Sequence, residues 1–248
     1  IRTNRPALLD DKKDLPTGPI VSTADGKVSQ NRTYQDLLKN PTDEANFVTI
    51  VSSELYKVDL NGNLTKFKDA DLYTGGSFSP DGNYYMLTTL KKPFSYIVPL
   101  QRFPMTTSVY DLNGKLIKEV NNVPLTEIMP KGFASTREGK RNMYWKDNDP
   151  STLIFVQALD GGDQAKKVEN RDEIFFWKAP FNEATQSFYK TKQRFAGLQF
   201  SNGDFALVAD SWYDTRNSKT YMVNTKTGAS KLIDDRNYQD VYSDPGSF

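Results

Sequence analysis

Five residues of this chain combine a side chain suited to ligand binding with a position in a predicted loop or at the end of a predicted strand. Arginine supplies a planar fork of donors that fits a carboxylate, whereas tyrosine and tryptophan supply flat apolar faces with one polar atom. We therefore treat these five as candidate binding residues. They are Arg102, Arg141, Arg216, Tyr96 and Trp212.

The residue types that the chain lacks exclude several kinds of catalysis within it. With no histidine and no cysteine, a Ser-His-Asp triad, a cysteine nucleophile and the usual zinc ligand sets cannot be complete. A formal net charge of +1 gives no general attraction to nucleic acid. The sequence contains no run of about 18 apolar residues, which is the length that predicts a membrane-spanning helix. We expect no catalytic residue, metal site, cofactor, nucleic-acid partner or membrane span.

The elements that must position the candidates include an unusual loop, Lys91 to Pro104. It contains Pro93, Pro99 and Pro104, and a proline removes a backbone donor and restricts the residue before it. The segment can therefore be neither a helix nor a central strand. Loops of this length in compact chains are more often functional than connective, so we expect Phe94, Tyr96 and Arg102 to be held in fixed positions.

Most of the chain carries an all-β pattern. From Phe47 onward, short runs rich in Val, Ile, Tyr, Phe and Thr alternate with turn residues. The sequence Asp-Leu-Asn-Gly occurs at 59–62 and again at 111–114, and Asn-Gly between two such runs predicts a type I′ hairpin. Further turns are predicted at 79–82, 147–151, 180–185, 201–203 and 225–228.

Alternating hairpins of this kind are typical of four-stranded propeller blades. The pattern predicts three complete blades, 75–120, 141–188 and 195–233. Val48 to Phe67 would be the outer half of another blade, and Asp240 to Phe248 would begin a further one. The fold class is therefore an all-β propeller fragment of about three and a half blades. Because such a ring is incomplete, we expect a piece of a longer protein whose open blade edges permit self-association.

We divide the chain into an N-terminal arm, 1–45, and partial propeller blades, 46–248. The arm is polar and rich in proline, which indicates extended chain. Its one predicted helix runs from Asn31 to Asn40, with Thr33 as a candidate N-cap and Pro41 as the residue that ends it.

Several segments resemble one family, the glutamyl endopeptidases of the prolyl oligopeptidase group of serine peptidases. The matching segments follow one another over nearly the whole chain from Asn31: Arg32 to Leu38; Pro93 to Pro104; Trp145 with Pro150 to Leu153; Asp160 to Asp163; Ser211 to Tyr213 with Thr215 and Arg216; and Asp240 to Ser247.

This resemblance implies a β-propeller that covers a C-terminal α/β-hydrolase domain and cleavage after glutamate. The family's Gly-x-Ser-x-Gly motif has no counterpart here, so no catalytic residue can be carried over and the hydrolase domain is expected to lie outside this chain. The implied role is to gate and line the substrate cavity of that domain. The expected partners are a peptide substrate and the hydrolase domain of the same polypeptide, and a periplasmic or secreted location is favoured.

Antiparallel blades place the tight turns on one face and the longer loops on the other, so we assign function to the long-loop face. Arg102, Arg141 and Arg216 all map to this face, where one of them would hold a substrate glutamate or contact the hydrolase domain. Two other interpretations stay open. The arginines could pair with local acids such as Asp210 and Asp214, or stack on aromatic side chains and stabilise the loops. The chain could also be a stand-alone module that binds a protein or glycan through the same face.

Overall fold

The computed structural model describes residues 6–10, 34–242, 244 and 246. The chain divides into two compact units, Ile1–Ile128 and Met129–Phe248, which we call unit 1 and unit 2. Among the described residues, one α-helix accompanies fourteen strands, all paired antiparallel. No helix in this part of the chain is long and apolar enough to cross a bilayer.

Unit 1 contains the helix α1 (Pro41–Val51), a two-stranded sheet and one four-stranded sheet. The two-stranded sheet pairs β1 (Ser53–Val58) with β2 (Leu64–Asp71). The four-stranded sheet, which we call blade 1, has the order β3-β4-β5-β6. Its strands are β3 (Tyr73–Phe78), β4 (Tyr84–Leu90), β5 (Met105–Asp111) and β6 (Leu116–Val123).

Unit 2 contains two four-stranded sheets with the same sequential strand order, blades 2 and 3. Blade 2 consists of β7 (Arg141–Trp145), β8 (Thr152–Ala158), β9 (Asp172–Lys178) and β10 (Gln186–Thr191). Blade 3 consists of β11 (Arg194–Phe200), β12 (Phe205–Trp212), β13 (Asn217–Asn224) and β14 (Ser230–Asn237).

The two sheets of unit 2 share a core because each turns an apolar face toward the other. Ile154, Val156 and Ile174 of blade 2 and Val208 and Val223 of blade 3 are completely buried and form one cluster. Aliphatic β-branched side chains fit such pleated, fully covered surfaces. This shared cluster holds the two sheets of unit 2 together.

The all-β architecture predicted from the sequence is confirmed. The three complete blades span the predicted segments closely, and the two-stranded sheet β1–β2 is the predicted half blade. The predicted further strand after Asp240 is wrong for the described residues of that segment, because residues 240–242, 244 and 246 contain no strand.

The helix prediction was wrong in position. Residues 34–40 are not helical, and Thr33 lies outside the described residues. The helix begins after Asn40, whose Oδ1 accepts a hydrogen bond from the Asp43 N–H at 2.7 Å, and Pro41 stands in its first turn. Proline has no N–H to lose at the first helical position, so it starts this helix instead of ending one. Because α1 extends to Val51, the first hairpin begins at Ser53 and not at Val48.

The predicted type I′ turns were also wrong in detail. Gly62 and Gly114 have φ of 85° and 82°, but Asn61 and Asn113 are not among the described residues with positive φ. The Gly62 N–H donates to the Asp59 carbonyl at 3.0 Å, and Asp59 Oδ1 accepts the N–H groups of Asn61 and Asn63. The aspartate side chain thus favours a type I turn followed by a left-handed glycine, a common three-residue hairpin loop.

The proline-rich loop of unit 1 packs beneath α1. Phe94 and Phe103 are buried and stack at 5.2 Å between ring centroids, and Phe47 of α1 meets Phe94 edge-on at 5.4 Å. Because apolar side chains anchor this loop from within, its prolines contribute stiffness and its phenylalanines contribute core. The loop is therefore part of the packing of unit 1.

Candidate functional site

The candidate site is the long-loop end of unit 2, which is built from four connecting segments. These are the link 129–140 before β7, the loop 159–171 between β8 and β9, the link 192–193 between β10 and β11, and the loop 213–216 between β12 and β13. Because strands in an antiparallel meander reverse direction at each turn, all four emerge at the same end of their sheets.

Gln164 joins three of these segments. Its Oε1 accepts the Ala134 N–H at 2.8 Å, and its Nε2 donates to Asp214 Oδ2 at 3.1 Å. Gly162 permits a close approach nearby, since its carbonyl accepts the Thr136 N–H at 2.9 Å. A Cβ atom on Gly162 would lie 2.0 Å from the Thr136 carbonyl oxygen. The loops are therefore held together by specific contacts that fix the floor beneath them.

The floor is a buried cluster of ions. Arg194, the first residue of β11, donates from Nη1 to Asp160 Oδ1 at 2.9 Å and to Asp172 Oδ1 at 3.1 Å. Its Nη2 donates to Asp160 Oδ2 at 2.6 Å, and its Nε donates to the Ala134 carbonyl at 2.6 Å. The side chains of both aspartates are completely buried. The guanidinium donors of Arg194 therefore bind residues of blade 2 and of the link 129–140. Through these hydrogen bonds Arg194 joins the two blades of unit 2.

Two more arginines complete the cluster. Arg171 Nη1 donates to Asp160 Oδ2 at 2.9 Å, and its guanidinium lies 4.6 Å from the ring centre of Trp212. Arg141 forms a very close ion pair through Nη2 with Asp172 Oδ2. Three guanidinium groups therefore share two carboxylates, which leaves one net positive charge in a region shielded from water.

The electrostatics of the cluster follow from this arrangement. Burial alone would raise the pKa of Asp160, but hydrogen bonds from Arg194 and Arg171 outweigh it and hold the pKa below its usual value. The pKa of the neighbouring Arg137 is lowered by its burial and by the positive charge of Arg141. This part of unit 2 is therefore rich in positive charge, and an anion nearby would be favoured.

A cavity of about 350 Å³ opens beside the cluster. Arg141 and Arg194 contribute to its floor, and aromatic side chains from separate segments line it: Phe133, Phe195, Tyr213 and Tyr238. Arg141 Nε is buried and has no hydrogen-bond partner among the described residues. A buried donor without a partner is costly. Because the Arg141 side chain also lines the cavity, its positive charge would stabilise an anion placed there.

A stack of side chains forms the rim of this cavity. The rings of Phe133 and Tyr213 stack at 4.4 Å between centroids, and the Arg216 guanidinium lies 3.6 Å from the Tyr213 ring centre. Hydrogen bonds with the side chains of Tyr238 and Tyr213 raise the pKa of Arg216. Arg216 itself has a φ of 57°, the left-handed conformation that places it at the tip of its loop.

The structure separates the five predicted site residues into two groups. Tyr96 and Arg102 lie in unit 1, where the Tyr96 hydroxyl donates to Glu44 Oε2 at 3.0 Å and Arg102 lies 5.4 Å from the Tyr34 ring centre. Arg141, Trp212 and Arg216 lie in unit 2, at or next to the cavity. The site prediction as a whole stays a prediction, and among these residues Arg141 has the free donor beside a cavity.

Sequence reasoning missed the residues that form the floor, namely Arg194, Asp160, Asp172 and Arg171. One signal could have found Arg194, since it opens β11 as Arg141 opens β7, the first strand of the preceding blade. The expectation that Arg141 pairs with a local acid is met by Asp172. It is not met by Asp210 or Asp214, the two acids named in advance.

The strand order and the turn pattern define the class of the chain: it is a partial β-propeller of four-stranded antiparallel blades. Two curated proteins are similar to it in sequence. The chain is 36% identical over 241 residues to a probable chloroplastic glutamyl endopeptidase of Oryza sativa subsp. japonica, covering 95% of this chain and 26% of the relative. The corresponding Arabidopsis thaliana protein is 34% identical over 242 residues, covering 95% and 25%. The resemblance to the glutamyl endopeptidases is thereby confirmed.

The chain spans about a quarter of the length of the curated relatives it matches. No protein-family model matches it. Among solved structures, an acylaminoacyl peptidase in complex with Z-Gly-Gly-Phe-chloromethyl ketone has a TM-score of 0.45 and 16% identity, covering 77% of this chain and 29% of that one. The acylaminoacyl peptidase of Pyrococcus horikoshii has a TM-score of 0.41 and 14% identity, covering 75% and 31%.

Proposed function

We propose that this chain is the non-catalytic propeller part of a serine peptidase of the glutamyl endopeptidase type, with the blades in 46–248 and the α/β-hydrolase domain elsewhere in the polypeptide. In this proposal the long-loop end of unit 2 lines the substrate cavity and limits access to it. The sequence relatives support the type of enzyme, since both are named probable glutamyl endopeptidases. Self-association through open blade edges stays a prediction.

The observation that carries the proposal is that Arg141 lines the cavity beside a buried cluster with one positive charge in excess. Asp172 neutralises only part of the Arg141 fork, because it also accepts hydrogen bonds from Arg194 and from the Phe195 N–H at 2.7 Å. A peptide carboxylate placed in the cavity would be attracted to the Arg141 guanidinium and would balance the charge. The aromatic lining of the cavity would accommodate the methylene groups of a glutamate side chain.

The other two arginines have different surroundings. Arg216 is engaged with Tyr213 and Tyr238, and Arg102 lies near Tyr34. A guanidinium that lies over an aromatic ring presents its polar edge outward, which suits a rim or a domain contact better than a specificity pocket. Arg141 is therefore the residue we expect to select the acidic side chain.

The test uses the intact peptidase with Arg141→Ala and the conservative variant Arg141→Lys. Loss of charge-assisted hydrogen bonds worth about 1.5–3 kcal/mol lowers kcat/KM by about 10- to 150-fold. We expect this loss for peptides with glutamate at the cleavage site and little change for matched glutamine peptides. Arg102→Ala and Arg216→Ala serve as comparison variants. Unchanged activity and unchanged preference for glutamate in all three alanine variants would contradict the proposal.

A further inference from the structure

A third buried carboxyl group lies in blade 3, and it forms no ion pair with the described residues. Asp210 is near the end of β12 and is completely buried. In the sheet register it faces Phe195 on β11 and Lys219 on β13. The Lys219 ammonium is 3.0 Å from Asp235 Oδ2, and none of the ion pairs found in the described part of the chain includes Asp210.

The hydrogen bonds around Asp210 are one donor short. Its Oδ2 accepts the Gln193 N–H at 3.1 Å and the Lys192 backbone makes a smaller contribution, whereas its Oδ1 is buried and has no hydrogen-bond partner among the described residues. The Gln193 side chain adds a second buried acceptor without a partner, Oε1, because its Nε2 is committed to Asn217 Oδ1 at 2.6 Å. Two buried oxygens of connected residues thus lack a donor, and native structures seldom tolerate such groups.

The surrounding charges do not compensate an ionised Asp210. Asp172 contributes a second buried negative charge, and Arg194 is committed to Asp160 and Asp172. Lys219 opposes these effects but is paired with Asp235. Burial is the largest influence and raises the pKa of Asp210, and the Asp210 charge contributes in turn to a Tyr221 pKa of about 12.

A proton on Asp210 would resolve the shortage, because a protonated carboxyl group gains an O–H donor and loses the cost of a buried charge. The position of the group gives this a structural consequence. Asp210 holds the Gln193 N–H, and Gln193 immediately precedes Arg194, which joins the two blades of unit 2. The protonation state of Asp210 therefore affects how the link 192–193 positions Arg194 in the ion cluster.

We propose that Asp210 is a pH-sensitive latch: when it is protonated, no uncompensated charge is buried beside the link 192–193 and the link is fixed, and when it is ionised, its buried charge destabilises the packing around that link. The proposal concerns folding and local order, so it holds or fails independently of the peptidase function. Asp210 acts in it as a positioning residue for Arg194.

The sign of the pH effect follows from linkage. A carboxyl whose pKa is raised on folding makes the unfolded state bind fewer protons than the native state once the pH exceeds the unfolded value of 3.8. Stability due to this group therefore falls as the pH rises from 3.8 to the folded-state pKa, and the loss is constant above it. The isosteric Asp210→Asn keeps an acceptor for Gln193 N–H, supplies a donor and removes the titration.

The experiment compares urea unfolding of the wild type and Asp210→Asn from acid to neutral pH. We expect the ratio of their unfolding constants to move in favour of the variant by about tenfold per pH unit above 3.8 until it levels off. Asp244→Asn is the matched control with the opposite trend, since hydrogen bonds from the Gly246 N–H and Arg236 lower the pKa of Asp244. A ratio that stays flat, or moves against Asp210→Asn as the pH rises, overturns the proposal.

A second measurement needs no stable variant. The carbon-13 shift of the Asp210 carboxyl in the wild-type chain reports its ionisation, and amide hydrogen exchange at Gln193 reports the link. We expect the carboxyl to titrate above the usual aspartate range. We also expect the protection factor of the Gln193 amide, which corrects for the base-catalysed intrinsic exchange rate, to fall over the same pH interval. The latch is refuted if the Asp210 carboxyl titrates at or below the ordinary aspartate value. It is also refuted if the protection of the Gln193 amide does not change over the pH interval in which Asp210 titrates.

Discussion

Replacing Arg194 with methionine tests whether the buried ion cluster holds the blades of unit 2 together. The variant keeps much of the side-chain volume and removes the charge. It deletes three hydrogen bonds to Asp160 and Asp172, whose side chains are completely buried, and one each to the Ala134 and Arg171 carbonyls. Removing one partner of a buried ion pair costs about 3–5 kcal/mol, because a buried charge is left without compensation.

The structure places the expected cost near the lower end of that range. Asp160 would retain Arg171 and the Gly162 N–H, and Asp172 would retain Arg141 and the Phe195 N–H. We therefore expect a loss of about 3 kcal/mol in the free energy of unfolding, which is a rise of roughly 150-fold in the unfolding constant.

Urea unfolding followed by tryptophan fluorescence is a suitable assay, because all three tryptophans lie in unit 2. Lys226→Met is the control, since it breaks an exposed pair with Asp204 at 2.8 Å whose contribution should be below about 1 kcal/mol. The difference between Arg194→Met and the wild type should shrink as the pH falls through the lowered pKa of Asp160, because the neutral acid no longer needs its partner. A cost for Arg194→Met below about 1 kcal/mol, or one equal to that of Lys226→Met, would refute this reasoning.

Two further predictions concern the backbone. Gly162→Ala should lower the free energy of unfolding by about 2 kcal/mol or more, because the φ of Gly162 is +80° and the new Cβ would clash with the Thr136 carbonyl. Gly203→Ala is the control, because the nearest atom to its new Cβ would be 3.8 Å away. Equal stability of the two variants would contradict the prediction. Asn40→Ala should lower the free energy of unfolding by about 1 kcal/mol and speed amide exchange in the first turn of α1, because it removes the N-cap. Asn40→Asp is the control, since it keeps a capping oxygen. Unchanged exchange in the alanine variant would show that the cap is dispensable.

The blades could be predicted from the sequence because their information is local. Alternating apolar residues and turn residues such as Asp59 to Gly62 specify each hairpin independently of the rest of the chain. The same reasoning failed for the helix, where Pro41 was taken as a stop although proline at the first helical position is a start. It failed for the turn type because the Asp59 side chain selects a type I turn through hydrogen bonds that a dipeptide rule ignores.

The candidate site was predictable only in part. Arg141 was chosen because it opens a strand at the long-loop end, and the structure places it beside a cavity. Trp212 and Arg216 are candidates because of their side-chain types and their position at the long-loop end. In the structure, however, Arg171 lies over the Trp212 ring, and Arg216 lies over the Tyr213 ring. Sequence patterns predict the end of a sheet at which a residue lies, but they do not predict which other side chain it contacts.

The sequence by itself determined the all-β class, the blade boundaries, the relation to the glutamyl endopeptidases and the absence of a histidine- or cysteine-based active site within the chain. Tertiary structure alone decided that Arg194 reaches from β11 to Asp160 and Asp172, that Arg141 keeps a free donor, and that Asp210 lies buried without an ion pair among the described residues. The reason is physical. Strand formation depends on neighbours in the chain, whereas the pairing and protonation of buried charges depend on groups that meet only when the sheets pack.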